Sequence, residues 1–217
     1  MSLPAIVPFK PVNPKTRLSC VLSLDEREAF AEQMLSDMIN SLREAGCIPT
    51  ILSTHHCEFH DPGEFRDSKV IVDGRGLNDA LNEFLGQVSG PVLIIMADLP
   101  LVTAEAVRRM VETPGDVVIA PGRGGGTNAL LIRDPSCYRV NYYGASYLKH
   151  RRIALELGLS CDVVDSFRLH TDVDEKEDLV ELLIHGTGRS RTFLEMLGFS
   201  LAIEKGRVGV ERTPSSR

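Results

Sequence analysis

Val92-Leu-Ile-Ile-Met-Ala-Asp98-Leu-Pro-Leu101 is the stretch whose reading decides the fold. Its apolar run from Val92 to Ala97, bounded upstream by Gly90-Pro91, suits a strand buried on both faces of a parallel sheet. Asp98 then falls at the strand's carboxyl end. Open α/β sheets bind ligands in the crevice outside those ends, so this carboxylate is placed to hold a hydrated Mg²⁺ against a phosphate. The competing reading is plainer: Asp98 and Pro100 are ordinary turn residues before a helix near Thr103.

Working outward, 217 residues suffice for a sizeable core, and a single domain is expected. A hydrophobic content of 43% with 25% charged residues is ordinary globular composition. No stretch reaches the roughly 18 apolar residues that span a bilayer. The opening Met-Ser-Leu-Pro-Ala-Ile lacks a basic flank leading into an apolar core, so it reads as mature, cytoplasmic protein. Cys20, Cys47, Cys57, Cys137 and Cys161 form no Cys-x-x-Cys, and their odd number fits reduced thiols. A formal charge of −6 argues against a nucleic-acid partner, although a local basic pocket for a small anion remains compatible with it.

Strands are expected at Ala5–Phe9, Cys47–Ser53, Lys69–Val72, Asp116–Ala120, Ala129–Ile132 and Cys161–Asp165, alternating with helices. The expected fold class is therefore α/β, one domain with a mostly parallel sheet flanked by helices and right-handed crossovers. Ser23-Leu-Asp-Glu26 is a capping box opening a long amphipathic helix that Gly46 ends. A small hairpin is expected over about 199–211, turning at Lys205-Gly206 and suited to a homodimer arm; residues 213–217 read as disordered.

Several loops carry candidate chemistry. Lys10, Lys15 and Arg17 sit on a Pro-punctuated loop leaving the same sheet edge as Asp98, where they suit a triphosphate; a solvated basic loop is the alternative. Gly74-Arg-Gly76-Leu77-Asn78 is a tight strand-to-helix turn whose N–H groups can approach a base or phosphate. The glycine run before Thr127-Asn128 suggests close ligand approach or a lid. Ser146, near a helix start, is an anion-binding candidate or a cap. Asp172 and Asp174 alternate along an extended segment, so both can face a cation shared with Asp98; Asp174 alternatively caps the next helix with Glu177 completing the box. His55-His-Cys-Glu-Phe-His60 matches no standard zinc spacing and reads as a polar loop.

Pro8-Phe-Lys10, Lys15-Thr-Arg17-Leu, Gly76-Leu-Asn78, Ala97-Asp-Leu-Pro100, Gly126-Thr-Asn128-Ala-Leu130, Gly144-Ala-Ser146 with His150, and Asp172-Val-Asp174 together resemble one family along almost the whole chain. It is the 2-phospho-L-lactate guanylyltransferase family of coenzyme F-420 biosynthesis, within the nucleotidyltransferases of GT-A (nucleotide-diphospho-sugar transferase) fold. The resemblance implies transfer of GMP from GTP to 2-phospho-L-lactate, giving lactyl-2-diphospho-5′-guanosine and pyrophosphate. It implies Asp98, Asp172 and Asp174 for Mg²⁺, and Lys10, Lys15 and Arg17 for the triphosphate. It also implies Gly76, Leu77 and Asn78 for the nucleoside, and Thr127, Asn128, Gly144 and Ser146 for the phosphorylated acid. Two departures stand out: a Pro- and Lys-bearing loop replaces the Gly-rich loop that usually follows the first strand, and many relatives have one more residue between the positions of Gly144 and Ser146. The alternatives are a same-fold enzyme with another acceptor, such as phosphoenolpyruvate, and a non-catalytic nucleotide-binding regulator.

Overall fold

The computed structural model describes residues 2–204 and 206–213. The run from Val92 becomes β4 (Val92–Ile95), buried along its whole length inside a seven-stranded sheet. Its companions are β1 (Leu3–Phe9), β2 (Cys47–Ser53), β3 (Lys69–Val72), β5 (Val117–Pro121), β6 (Thr127–Ile132) and β7 (Cys161–Val163), in the order β3-β2-β1-β4-β6-β5-β7. Only the β6 pairings are antiparallel. The chain therefore steps outward from β1 to β2 and β3, then returns to β1's other side at β4. That reversal is the topological switch point where such sheets open a crevice.

Helices cover both faces. α1 (Leu24–Glu44), α3 (Ala104–Glu112), α5 (Phe167–His170), α6 (Asp178–His185) and α7 (Arg189–Met196) pack one face, while α2 (Leu77–Leu85) and α4 (Ser146–Glu156) pack the other. α1 forms as its sequence dictates. The Ser23 hydroxyl accepts from the Glu26 N–H, the Glu26 carboxylate accepts from the Ser23 N–H, and Phe30, Met34, Leu35, Met38, Ile39 and Leu42 make one buried stripe. Gly46, at φ 83°, takes the left-handed turn that lets the chain leave for β2.

α7 has no local cap, because Gly188 precedes it. Asp37 of α1 supplies the cap instead, accepting from the Arg189 N–H at 2.7 Å and the Ser190 N–H at 3.0 Å. The loop between β2 and β3 is likewise held to α1. Buried Glu32 accepts from the His60 N–H and ring and from the Asp61 N–H. His60 is thus committed to a clamp, and among the described residues no set of three His, Cys or carboxylate side chains converges on a metal position.

β8 (Phe199–Glu204) and β9 (Arg207–Arg212) form the expected hairpin. One face of it runs from buried Phe199 and Val210 at the base to exposed Leu201, Ile203 and Val208 toward the tip. Lys205 of the expected turn and residues 214–217 of the expected disordered end lie outside the described residues.

Candidate active site

At the switch point two clefts share the wall formed by Pro8 and Phe9, with which β1 ends, and Lys10, which follows it. One, about 390 Å³, is completed by Leu52, Thr54, Asp73, Arg75, Gly76, Leu77, Ala80 and Tyr143, and its apolar lining and size suit a nucleoside. The other, about 230 Å³, runs past Lys15 to Met96, Ala97, Asp98 and Asp174. Lys10 stands where they meet. A larger depression of about 640 Å³ lies between α1, α3 and α7, but its one aspartate, Asp37, is consumed in capping α7.

The second cleft is an electrostatic knot. The Lys15 ammonium donates to Asp98 Oδ2 at 2.8 Å and to Asp174 Oδ1 at 2.6 Å. Burial works against that charge, but Asp98 and Asp174 outweigh it and hold the ammonium above its ordinary pKa. Lys15 itself sits in the left-handed region, at φ 49°, uncommon for a residue other than glycine. Asp172 completes the group. Burial first, then the charge of Asp98, pushes its carboxyl up, and its Oδ1 is buried with no hydrogen-bond partner.

Backbone contacts fix this geometry. The Val173 N–H donates to the Asp98 carbonyl at 3.0 Å, so the segment lies beside the end of β4, with Val173 buried between its two aspartates and Thr171 buried just before them. The alternative reading of Asp174, a capping box with Glu177, is not what forms. α6 starts at Asp178, whose Oδ2 reaches back to accept from the Asp174 and Glu175 N–H groups at 2.8 Å each. A downstream carboxylate thus does the turn-closing work, which leaves the Asp174 side chain to Lys15. Asp178 Oδ1 also pairs with Arg123 of the glycine run, tying that loop to the same turn.

Thr127 and Asn128 serve opposite faces of the sheet. The Asn128 amide donates to the Leu169 and His170 carbonyls at 3.0 and 3.2 Å, holding the approach to Asp172. Thr127 points to α4, where Oγ1 lies 3.0 Å from His150 Nδ1 and 3.2 Å from Ser146 Oγ. Strict alternation would put Thr127 opposite Leu130, which packs on that α4 side; a register shift between Ala120 and Pro121 reverses it. Burial, and then the Lys149 charge, pushes His150 down to about 4, so the ring is neutral.

The sequence-based candidates therefore divide. Lys10, Gly76 and Leu77 line the nucleoside-sized cleft, while Lys15, Asp98 and Asp174 line its neighbour, which Lys10 also borders. Arg17 lies outside both, 68% exposed and paired with Glu175 at 3.3 Å. Asn78 spends its amide on the backbone of Tyr142, accepting from its N–H at 2.6 Å and donating to its carbonyl at 3.3 Å, so it anchors a wall rather than facing a ligand. Thr127, Asn128 and Ser146 are buried, and Gly144 is an exposed left-handed turn residue. Sequence reasoning missed Tyr143, Arg75 and Asp73. Tyr143 adopts φ 75°, rare for an aromatic residue, and lines the larger cleft with 65% of its surface exposed. Arg75 is clasped by Asp73 at 2.6 Å on the same wall.

The fold and the chain have counterparts. A crystal structure described as a "putative nucleotide-diphospho-sugar transferase" from Desulfovibrio desulfuricans G20 superposes with a TM-score of 0.73 and 17% identity over 90% of this chain and 95% of that one. The 2-phospho-L-lactate guanylyltransferase of Methanoculleus marisnigri is 56% identical over 97% of this chain and 96% of its own length, and that of Methanoregula boonei is 55% identical over 96% and 94%. The family model described as "Guanylyl transferase CofC like" matches residues 3–213. The chain belongs to the CofC-like guanylyltransferase family.

Proposed function

We propose that this chain transfers GMP from GTP to 2-phospho-L-lactate, as a step in coenzyme F-420 biosynthesis. A phosphate oxygen of phospholactate attacks the α-phosphorus of GTP, the bond to the bridging oxygen breaks, and pyrophosphate leaves with that bonding pair. The product is lactyl-2-diphospho-5′-guanosine. The observation that carries this reading is the juxtaposition at the switch point of a nucleoside-sized cleft with a lysine–carboxylate knot, joined by Lys10.

The acceptor needs no general base, because a phosphate monoester with a second pKa near about 6 is mostly dianionic at neutral pH. What the reaction needs is cancellation of anionic repulsion and alignment of the attack. Lys10 and Lys15 supply fixed positive charge along the triphosphate, with Arg17 at the outer edge. Gly76 and Leu77 form the floor of the nucleoside site, and the ring of Tyr143 offers the base a face.

The residues fit a divalent cation. Asp172 Oδ1 is a buried orphan oxygen, and Asp98 and Asp174 already hold one cation, the Lys15 ammonium. Since among the described residues no three such side chains converge, two carboxylates with phosphate and solvent oxygens would complete the shell, as suits Mg²⁺. When bound, Mg²⁺ supplies charge neutralisation at the reacting phosphates. Asp98 and Asp172 would hold it, and Lys15, displaced from their side, would turn to the triphosphate.

The exposed Leu201, Ile203 and Val208 on the hairpin suit self-association, so the protein is read as a homodimer, which light scattering before and after Ile203→Glu tests. Its five unpaired thiols fit a cytoplasmic enzyme. Phosphorus NMR of GTP, phospholactate and Mg²⁺ tests the reaction: new diphosphate resonances with wild type, and none with Asp98→Asn although that variant keeps its fold. An active Asp98→Asn enzyme would remove the carboxylate from the mechanism.

A further inference from the structure

The loop that brings Lys15 to the second cleft is held in an unusual shape. Asn13 and Lys15 both lie in the left-handed region, at φ 47° and 49°, with buried Pro14 between them. Neither is glycine, so the pair persists only because its surroundings hold it. Pro11 and Pro14 offer no N–H, which leaves few backbone bonds to do so. Two adjacent residues of α1 take over. The Arg27 guanidinium donates through one nitrogen to the Asn13 side-chain oxygen at 2.9 Å and to the Pro14 carbonyl. Glu28 Oε1 accepts from the Asn13 N–H at 3.0 Å. Lys15 is the next residue along, and its ammonium reaches Asp98 and Asp174. Pro14 lines the same cleft, as does Ala31, one turn along α1 from Arg27. Arg27 is costly as mere packing: it is 7% exposed, its Nε is buried without a partner, and among the described residues no carboxylate pairs with it. An aliphatic side chain would fill that space without burying an unpaired charge.

We infer that Arg27 is a positioning residue that sets GTP affinity through Lys15, by clamping the Asn13-Pro14-Lys15 turn so that the ammonium enters the cleft. The inference rests on the reading that Lys15 meets the triphosphate. Arg27 lines neither cleft, so it acts through the turn and touches no substrate. A charged donor suits this task, because its bonds to two neutral oxygens are stronger than those of a neutral amide or hydroxyl. The clamp fixes the ammonium before the nucleotide arrives, so binding does not have to order the loop.

The test has two arms on the full-length protein. Nitrogen NMR of lysine-labelled protein, without substrate, reads the contact itself. An ammonium held by two carboxylates should give a signal protected from solvent exchange in wild type, and that signal should vanish in Lys15→Met and in Arg27→Met alike. A signal absent from wild type, or kept in Arg27→Met, would overturn the inference. The second arm measures GTP affinity by calorimetry in Mg²⁺. Arg27→Met should weaken GTP binding about ten- to a hundred-fold, as loss of a charged hydrogen-bonding contact does, and leave the phospholactate KM within about two-fold. In a Lys15→Met background the same substitution should change GTP affinity less than about two-fold, because the residue it acts through is gone. A GTP affinity unchanged in Arg27→Met, equal losses for both substrates, or a full additive loss in the Lys15→Met background would overturn it. Should Arg27→Met fail to fold, Asn13→Gly removes the acceptor from the exposed side at a φ that glycine tolerates, and the same losses are expected. A wild-type protein that binds no GTP would refute the proposed function, while the ammonium signal judges the clamp separately.

Discussion

Replacing Lys15 by Met removes the ammonium that bridges Asp98 and Asp174 while keeping the aliphatic stem. Each ion pair, at 2.8 and 2.6 Å, is worth about 6 kcal/mol of gross attraction at an effective dielectric near 20, and burying the ammonium offsets much of that. Breaking a fully buried pair costs about 3–5 kcal/mol. Here Lys15 is 10% exposed but Asp98 and Asp174 are 28% and 40% exposed, so water shares the freed carboxylates and the expected loss is about 2–3 kcal/mol. For a chain of this size that lowers Tm by about 5–10 °C. The folded ammonium is held above its ordinary value, so its contribution is present in full below the unfolded pKa of 10.5 and fades only as pH rises through the folded one. The loss should therefore be complete at neutral pH. Mg²⁺ should bind the variant more tightly, having no ammonium to displace, and at a hundred times its Kd return about 2.7 kcal/mol. Turnover should fall about a hundred- to a thousand-fold even so, because the triphosphate loses a fixed charge. Calorimetry with and without Mg²⁺ reads this directly. A variant as stable as wild type, with no added response to Mg²⁺, would refute the picture of Lys15 as an internal counter-cation.

Other positions give sharper structural tests. Asn78→Ala removes both hydrogen bonds to the Tyr142 backbone, and urea unfolding should show a loss of about 1–3 kcal/mol together with a raised GTP KM as the Tyr143 wall loosens. Gly122→Ala drives its methyl into the Asn128 amide, which is held by two carbonyls and cannot swing away; a cost of about 1–3 kcal/mol and weaker Mg²⁺ binding near Asp172 are expected by denaturation and metal titration. His150 is depressed from 6.5 to about 4, so between those values the unfolded chain binds more protons and stability falls as pH falls. Unfolding at about pH 7 and about pH 4.5 should show a wild-type loss exceeding that of His150→Asn by about 2 kcal/mol. Equal losses would mean that the ring is not held neutral by burial.

The fold was legible where the information is local. A continuous apolar strand with turn residues on each side, a capping box at Ser23 and a left-handed glycine at its far end each act within a few residues, and β4 and α1 follow from them. α7 was not legible, because its cap comes from Asp37, far back in the chain. The Asp174 turn was left open for a related reason: an aspartate four residues before another can cap forward or be capped backward, and only the packed turn shows that Asp178 reaches back. The candidate site was legible in its charged members, since Lys15, Asp98 and Asp174 leave strands or turns at one sheet edge. Side-chain commitments were not. Asn78 and Asn128 look like ligand-facing amides in sequence but bond to backbone that only tertiary contact brings to them. Tyr143 carried no periodic or motif signal; its left-handed backbone becomes visible only in three dimensions.

The measurement that tests the central claim most directly is pyrophosphate release in Mg²⁺ with GTP, ATP or CTP, each paired with 2-phospho-L-lactate, phosphoenolpyruvate or no acceptor. The account predicts release with GTP and phospholactate together and little with any other pairing. Release without an acceptor, equal rates for all three nucleotides, or silence across the panel would contradict it.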